Sequence, residues 1–562
     1  MLHLPTQAPD WVIRTAAVGT AAVPRNDVIR SALTVPVIMG TAYALFGADV
    51  AIFASLSALL IVLSERGGTT GQRLLRSGAG LAAGTIAQLL GPLTAGTGAS
   101  PLLVVLGFGL LSGVMSGIGS GLSWAAMQLL VQMAIAGGLH VSLPHRDRVI
   151  AYIVGGLIAL AAMLVQSALE RTDRLYSESL ERAEQSFAKW AESDGTEDAR
   201  DRRAVANAQL LEAAELILVA RPVRAARKRR IEEARTRLSA VALASEQREA
   251  GTGRHERETT RAPAIRPISV AGIVGRGLTS ASTWEFVARL ECCLALGELV
   301  RQLSPLGHGY WILLTIALVL KPDIQSVFSR TLQRGTGTLL GVSLAWIPTL
   351  LAPGFVIFPL IAALSAPIPW AVRRNYWIFS VLVTPLVLLI LDFGGTVDFG
   401  VVVQRVLNTS IGCAIVLLVG YLLWPTTWRP RLARSVTRIV NDLADYASVG
   451  PDERNAPERR LQALMSIHEL RQRVDRAAPE PPAVRARLSA ATEVGAAADD
   501  ALMAVAPIRD DQQRALVSAR LRVLSGARDI LSPTSRNNAS RCEWDAAIHR
   551  LEAAVAHAHH PG

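Results

Sequence analysis

Long apolar runs alternate with polar stretches along this chain. A bilayer core about 30 Å thick needs about 20 helical residues at about 1.5 Å each, so such runs predict membrane-spanning helices. The predicted runs are 29–47, 49–64, 77–95, 101–117, 118–138 and 149–169, then 284–303, 309–322, 335–352, 355–371, 376–393 and 404–424. A polar stretch with amphipathic helical text follows each group of runs. The pattern predicts an all-α integral membrane protein with about twelve transmembrane helices.

One constant shift relates the two groups of runs. Gly80 and Gly84 in the third run correspond to Gly337 and Gly341 in the ninth, 257 positions later. The same 257 positions separate the arginines that open the sixth and twelfth runs, Arg148 and Arg405. The shift predicts a duplication into two six-helix repeats. Because six is an even number, the repeats should be parallel and related by an axis roughly along the membrane normal.

The runs divide the chain into five predicted segments. These are an N-terminal segment (1–28), the first six-helix membrane repeat (29–169), a helical domain and linker (170–283), the second six-helix repeat (284–425) and a C-terminal helical domain (426–562). Basic residues concentrate in alternate loops, which predicts that the N-terminus, the middle domain and the C-terminal domain are cytoplasmic. The loop with Arg146 and Arg148 is the exception. No apolar core precedes a cleavage site in Met1–Arg30, so no cleaved signal peptide is expected.

Composition agrees with lipid as a solvent, because 51% of the residues are hydrophobic, only 18% are charged and the mean hydropathy is +0.33. The net charge of +11 comes from bases that cluster between and after the apolar runs, without an aromatic-interleaved groove, so no nucleic-acid partner is expected. The four cysteines show no C-x-x-C spacing, which predicts neither a disulfide framework nor a metal site. Without a Walker, H-E-x-x-H or G-x-S-x-G motif, neither a cofactor nor an enzyme activity is expected.

Several residues are candidates for packing or binding. Gly80 with Gly84, and Gly337 with Gly341, form small-x-x-x-small faces that allow close helix packing. Arg330 and Arg334 lie four apart on one helical face. Their guanidinium groups either bind a substrate carboxylate or anchor the loop at anionic headgroups.

The seventh run is unusual because it contains Arg289, Glu291, Glu298 and Arg301. A charge near the bilayer centre costs about 2.5–3.5 kcal/mol, so these side chains must pair, face water or lie near a span end. One reading is a pair of proton-coupling carboxylates, Glu291 and Glu298, beside a substrate-binding Arg289. The other is an interfacial helix or a structural ion pair, and the spacing of Glu298 and Arg301 is suitable for such a pair. Prolines at 367, 369 and 385 are expected to break or bend the tenth and eleventh runs.

The stretch from Tyr310 to Gly341 resembles the fusaric acid resistance family, which is related to the bacterial aromatic acid exporters. In that family a W-x-x-L-T helix is followed by a proline and by R-x-x-x-R-x-x-G-T-x-x-G. The matching residues are Trp311, Leu314, Thr315, Pro322, Arg330, Arg334, Gly337, Thr338 and Gly341. The first repeat departs from the pattern, since Ser64 stands where Lys321 stands and Ala54 replaces the tryptophan. The resemblance implies export of aromatic or other organic acids, and a wider kinship with plant malate channels implies anion permeation.

Together these features predict efflux of an organic anion across the plasma (inner) membrane, which the carboxylates of the seventh run would couple to protons. The anion would be attracted by basic cytoplasmic groups, with Lys321, Arg330 and Arg334 among them, and would pass through a cavity between the repeats. A passive anion channel of the same architecture and a non-transporting scaffold with partner-binding cytoplasmic domains remain open. The expected partners are the anion, membrane lipids, and a second copy of the chain or an accessory efflux subunit.

Overall fold

The computed structural model divides the chain into two compact units. One unit comprises Met1–Glu170 and Ile268–Trp428, and the other comprises Arg171–Pro267 and Arg429–Gly562. The residues described are 25–64, 70–118, 120–139, 141–169, 173–192, 280–321, 327–351, 357–391, 399–424, 433–450, 456–477, 482–506, 508–526 and 549–553, with isolated positions at 202–279, 393 and 453. Every regular element in these ranges is a helix. The predicted linker at 251–267, Glu65 and Pro322 lie outside the described residues.

Six helices form the first half of the larger unit. They are α1 (Arg25–Phe46), α2 (Ala48–Leu63), α3 (Thr70–Leu90), α4 (Ala99–Ile118), α5 (Ser120–Gly138) and α6 (His145–Leu169). The chain turns sharply between α1 and α2 at Gly47, whose φ of 88° suits a residue without a Cβ. A 3₁₀ turn, Gly91–Thr94, follows α3.

After α7 (Asp173–Ala191), which belongs to the other unit, seven helices form the second half. They are α8 (Ala281–Leu303), α9 (Tyr310–Val319), α10 (Val327–Leu351), α11 (Ile357–Ser365), α12 (Ile368–Arg374), α13 (Tyr376–Leu391) and α14 (Phe399–Ile415). A π-helical segment, Val416–Leu422, extends α14.

Several boundaries differ from those that the apolar runs predict. The eighth run is helical only over Tyr310–Val319, because Leu320 is extended and a proline at 322 disfavours helical backbone before it. Conversely, α10 begins at Val327 rather than at 335, so that Arg330 and Arg334 belong to the helix. The tenth run is two helices, since the chain turns at Ala366–Pro367, whereas α13 continues through Pro385.

Long helices surround short buried ones in the larger unit. Four helices among the described residues are long and apolar enough to cross a membrane: Arg25–Phe46, Ala99–Ile118, His145–Ser167 and Phe399–Leu422. These expose apolar side chains such as Leu33, Leu103 and Leu157, as lipid-facing helices do. The shorter apolar helices α2 and α9 are almost wholly buried. An all-helical chain with several apolar helices is the architecture of an integral membrane protein.

Helices of the two halves pack against each other. The first half's α4 packs on α8, where Gly109 and Gly113 lie against Glu291 and Val287. On the other side, α1 packs on α11, and the Ser31 hydroxyl donates to the carbonyl of Ser365. In the centre, α5 contacts α9, and α2 contacts α13. The core of this unit is therefore shared by both halves.

Among the described residues of the second unit are α7 and four further helices. These are α15 (Ala433–Ala447), α16 (Ala456–Ala477), α17 (Pro482–Val505) and α18 (Asp511–Gly526). The helix α15 packs on both α16 and α18. Arg514 of α18 is 2% exposed and donates to backbone carbonyls, among them those of Ile508 at 2.6 Å and Tyr446 at 3.4 Å. This arginine ties together the ends of three helices.

Candidate functional site

A cavity of about 490 Å³ lies between the two halves of the larger unit. The first half lines it with α2 and α5, and the second half with α9, α10, α12, α13 and α14. Its walls are mostly apolar and aromatic, as in small-molecule sites generally. The wall residues used below are Leu314, Tyr376, Phe379 and Val383.

Five cations line this cavity, and its described lining contains no acidic side chain. The cations are Lys321, Arg330, Arg334, Arg374 and Arg405. A cleft with charges of one sign and low-dielectric walls concentrates the field of those charges. The cavity therefore attracts anions and repels cations.

The predicted substrate-binding residues Lys321 and Arg330 are held by aromatic rings. The Lys321 ammonium lies 5.2 Å from the ring centroid of Trp124, which belongs to the first half. The Arg330 guanidinium lies 4.6 Å from the ring centroid of Tyr376, and its Nη2 donates to the Leu318 carbonyl at 2.6 Å. These contacts hold both cations at the cavity wall, and the contact of Lys321 with Trp124 connects the two halves.

Arg334 and Arg405 are the most deeply buried of the five cations, each about 1% exposed. The Arg405 guanidinium lies 4.6 Å from the ring centroid of Trp311. It is also close enough to the positive charge of Arg334 for the two guanidinium groups to repel each other. The Nε and Nη1 atoms of both arginines have no hydrogen-bond partner among the described residues. The sequence analysis uses Arg405 only to identify the repeat and does not predict a binding role for it. An arginine inside an apolar span is nevertheless typical of a functional residue.

The structure places Arg289 and Glu291 away from this cavity. The Arg289 guanidinium lies 5.4 Å from the Phe286 ring centroid, and Glu291 contacts α4 at Gly109. Both carboxylate oxygens of Glu291 are buried without a hydrogen-bond partner among the described residues. Neither residue lines the cavity with Lys321, Arg330 and Arg334.

Glu298 forms the ion pair that its spacing from Arg301 allows. Its carboxylate accepts bonds from Arg301 at 2.6 and 2.7 Å and from Gln302 at 2.7 Å, and the residue is 0% exposed. Arg301 also donates to the Gly96 carbonyl at 2.8 Å, in the loop after α3. The geometry gives Glu298 a structural role in joining the halves.

A second cavity, of about 510 Å³, lies beside this ion pair. Its lining includes Arg301, His308, Tyr310 and Trp311. Trp311 thus lines the second cavity, while Arg405, which stacks on it, lines the first. At this point the stacked side chains of Trp311 and Arg405 lie between the two cavities.

The predicted packing glycines all lie at close helix contacts. A Cβ on Gly80 would lie 3.3 Å from the Trp124 ring nitrogen, and Gly84 lies against the Tyr152 side chain. A Cβ on Gly337 would lie 2.5 Å from Ser380, and one on Gly341 would lie 2.7 Å from a backbone oxygen. Close approach of α3 to α5 and α6, and of α10 to α13, therefore requires small residues.

Comparisons with known proteins agree with the family resemblance. Residues 293–419 match the family described as fusaric acid resistance protein-like, which confirms that resemblance over most of the second half. The inner membrane protein YccS of Escherichia coli is 30% identical over 178 residues, covering 30% of this chain and 24% of YccS. The uncharacterized membrane protein YvaC of Bacillus subtilis is 31% identical over 183 residues, covering 31% of this chain and 28% of YvaC. The match spans about a quarter of these relatives, and no solved structure matches.

Proposed function

We propose that this chain is a transporter of organic anions. It is a membrane protein whose residues 293–419 match the fusaric acid resistance protein-like family. The observation that carries the proposal is the inter-half cavity with five cations and no acidic group in its described lining. Its volume of about 490 Å³ suits a small organic molecule rather than a polymer. The apolar walls suit the hydrocarbon part of such an anion, and the cations suit its carboxylate.

We infer that the larger unit is a pair of parallel six-span repeats. The reciprocal contacts support this, because α4 on α8 and α11 on α1 are equivalent under the shift of 257 positions. Gly155 of α6 lies against the backbone of Ala54, and its counterpart Gly412 lies against that of Ile312. In this arrangement α11 and α12 together form the tenth span.

The proposed direction is outward. Basic loops favour the cytoplasmic side, which places Lys321 and Arg330 at the cytoplasmic end of the first cavity. The second cavity then faces outside, with the Trp311 and Arg405 layer between the two. An anion would enter among the cations, lose its water against the apolar walls, and leave when this layer opens outward.

Proton coupling by Glu291 and Glu298 is a separate proposal. Neither carboxylate lines the cationic cavity. Protonation of Glu291 would have to act through the packing of α8 on α4, and protonation of Glu298 through the contact of Arg301 with the loop after α3. If Glu291→Gln and Glu298→Gln leave efflux and its pH dependence unchanged in folded protein, the coupling proposal is wrong.

The transport proposal is tested by efflux of a panel of labelled organic acids from cells or proteoliposomes. Lys321→Gln and Arg330→Gln are expected to reduce efflux at least about tenfold, since each removes a charged contact to the anion. Arg289→Gln is the matched control, because it removes a span arginine that lies outside the cavity. If no organic anion is moved by the wild-type chain, or if all three variants behave alike, the proposal fails.

A passive anion channel is the second candidate, and the Trp311 and Arg405 layer between the two cavities favours it. A channel needs only one barrier to move aside, whereas a carrier must never open on both sides at once. Recording in reconstituted bilayers separates the two, since unitary currents that reverse at the anion's equilibrium potential identify a channel.

A further inference from the structure

We propose that Arg334 and Arg405 form a buried anion subsite. It holds the carboxylate of the transported molecule at the deep end of the cationic cavity, beside Trp311. The subsite deepens the proposed function and rests on it, because it specifies where the charged group of the anion binds. It differs from the remainder of the cavity in its deeper burial, since Arg330 is 4% and Lys321 6% exposed, and Arg330 already donates to a backbone carbonyl.

The first argument is burial without compensation. Each of the two guanidinium groups is about 1% exposed, and each keeps Nε and Nη1 without a partner among the described residues. Buried cations are otherwise paired or fully hydrogen-bonded, because removing an unpaired charge from water is costly. Here the neighbouring charge is of the same sign. A bound anion would satisfy the free donors and remove the repulsion between the arginines.

The second argument is the contrast with the equivalent arginine of the first half. Arg148 corresponds to Arg405 under the shift of 257 positions, and its guanidinium also lies over a ring, 5.9 Å from the centroid of Phe53. Unlike Arg405, Arg148 donates from Nε to the Leu143 carbonyl at 2.8 Å and from Nη2 to the Val141 carbonyl at 2.7 Å. The counterpart of Arg334 is Ser77, an uncharged residue. At this pair of equivalent positions, therefore, the second half has two cations with free donors and the first half does not.

The third argument concerns the shape of the ligand. Trp311 covers one face of the Arg405 guanidinium, and because the N–H donors of a guanidinium lie in its own plane, this stacking leaves them free for a ligand. In-plane donors suit an oxyanion such as a carboxylate. The neighbouring cavity wall contains Leu314, Phe379 and Val383, which suit an apolar body attached to that carboxylate. The subsite thus selects an organic carboxylate over a bare inorganic anion.

The test measures ligand binding by the purified full-length chain in detergent. Benzoate is the probe, benzamide is its uncharged analogue, and inorganic phosphate is the bare anion. Calorimetric titration gives the Kd, and thermal unfolding gives the ligand-induced shift of the midpoint temperature. The variants are Arg405→Gln, Arg334→Gln and the charge-conserving Arg405→Lys, with Arg148→Gln as the matched control.

We expect benzoate, but not benzamide, to bind and to stabilise the wild-type chain. Its Kd should rise at least about tenfold in Arg405→Gln and Arg334→Gln, and less in Arg405→Lys, which keeps the charge but loses the planar donors. Arg148→Gln should lower thermal stability while leaving the Kd for benzoate unchanged. The thermal unfolding transition of each variant shows that it is folded, and benzoate binding by Arg148→Gln shows that loss of an arginine stacked on a ring does not by itself abolish binding.

Three results would overturn the subsite: no benzoate binding by the wild-type chain, binding that survives both glutamine variants, or equally tight binding of phosphate. The subsite and the transport proposal fail in different ways. If Lys321→Gln abolishes organic anion efflux but Arg405→Gln and Arg334→Gln do not, transport stands and the subsite is wrong. If benzoate binding depends on both arginines but no anion is moved, the subsite stands and transport is wrong.

Discussion

Replacing two glutamates of α8 by glutamine should have opposite consequences. Glu298 accepts two hydrogen bonds from Arg301 and one from Gln302, whereas the oxygens of Glu291 have no partner among the described residues. Both substitutions keep the side-chain volume and remove one negative charge. They lie two helical turns apart on the same helix, so each serves as the control for the other.

The cost of Glu298→Gln follows from the bonds that it loses. A charge-assisted hydrogen bond contributes about 1.5–3 kcal/mol. The amide oxygen can replace Oε1 and accept from Arg301 Nη2 and from Gln302, but the amide nitrogen then faces the Arg301 Nε donor and that bond is lost. Arg301 is 18% exposed on its side chain and keeps the Gly96 carbonyl, which reduces the loss. We therefore expect the free energy of unfolding to fall by about 2–3 kcal/mol. Glu291→Gln replaces an unpaired buried carboxyl and should be neutral or stabilising.

Equilibrium unfolding of the purified chain in mixed micelles, followed by tryptophan fluorescence, measures both changes. Thermal unfolding in the same detergent provides an independent ranking of the variants. Equal destabilisation by the two substitutions would refute the reasoning, because burial rather than pairing would then determine the cost. A stable Glu298→Gln protein would show that the contact between α8 and the loop after α3 does not depend on this ion pair.

Three further predictions concern packing and the second unit. Gly341→Ala should destabilise the chain by about 1–3 kcal/mol, since the new Cβ would lie 2.7 Å from the Val381 carbonyl oxygen. Gly335→Ala on the same helix is the control, because its Cβ would have its nearest neighbour at 4.0 Å. Thermal unfolding should show this control to be neutral or stabilising. Arg514→Met should destabilise the second unit by about 3 kcal/mol or more, seen as faster limited proteolysis, because several buried carbonyls lose their donor. Burial raises the pKa of Asp442, so the protonated carboxyl is compatible with the folded state and the ionised carboxylate opposes it. Asp442→Asn should therefore raise the free energy of unfolding at neutral pH and leave it unchanged in acid. A difference in the free energy of unfolding that does not depend on pH would contradict this prediction.

The sequence was sufficient for the helical membrane class and for the family, because both depend on local patterns. Long apolar runs indicate segments that lie in lipid, and the residues from Trp311 to Gly341 have the spacing of the family motif. The ends of helices were less predictable. The apolar run predicts a start at 335 rather than Val327 because the first two turns of α10 mix apolar residues with Arg330, Gln333 and Arg334, and this mixture interrupts the apolar pattern.

The candidate site was only partly predictable, since it is assembled from distant segments. The sequence selected Lys321, Arg330 and Arg334, and the structure places all three on one cavity, although substrate binding by them stays a prediction. Arg405 was missed as a binding residue because 71 positions separate it from Arg334 in the chain. Arg289 was selected because it is a charge in an apolar run, but the run alone does not show which way its side chain points.

The short buried helix α9 has a consequence for how the protein is made. Its ten residues extend about 15 Å, roughly half of a bilayer core, and its neighbours on both sides are polar or charged. The free energy that such a short segment gains in lipid is too small for it to move from the translocon into the bilayer by itself. It must be carried in by partners that pack on it, and those are α5, synthesised long before it, and α14, synthesised after it. Biogenesis of the second half therefore depends on a first half that is already in place, and truncation after residue 400 should leave α9 incompletely inserted.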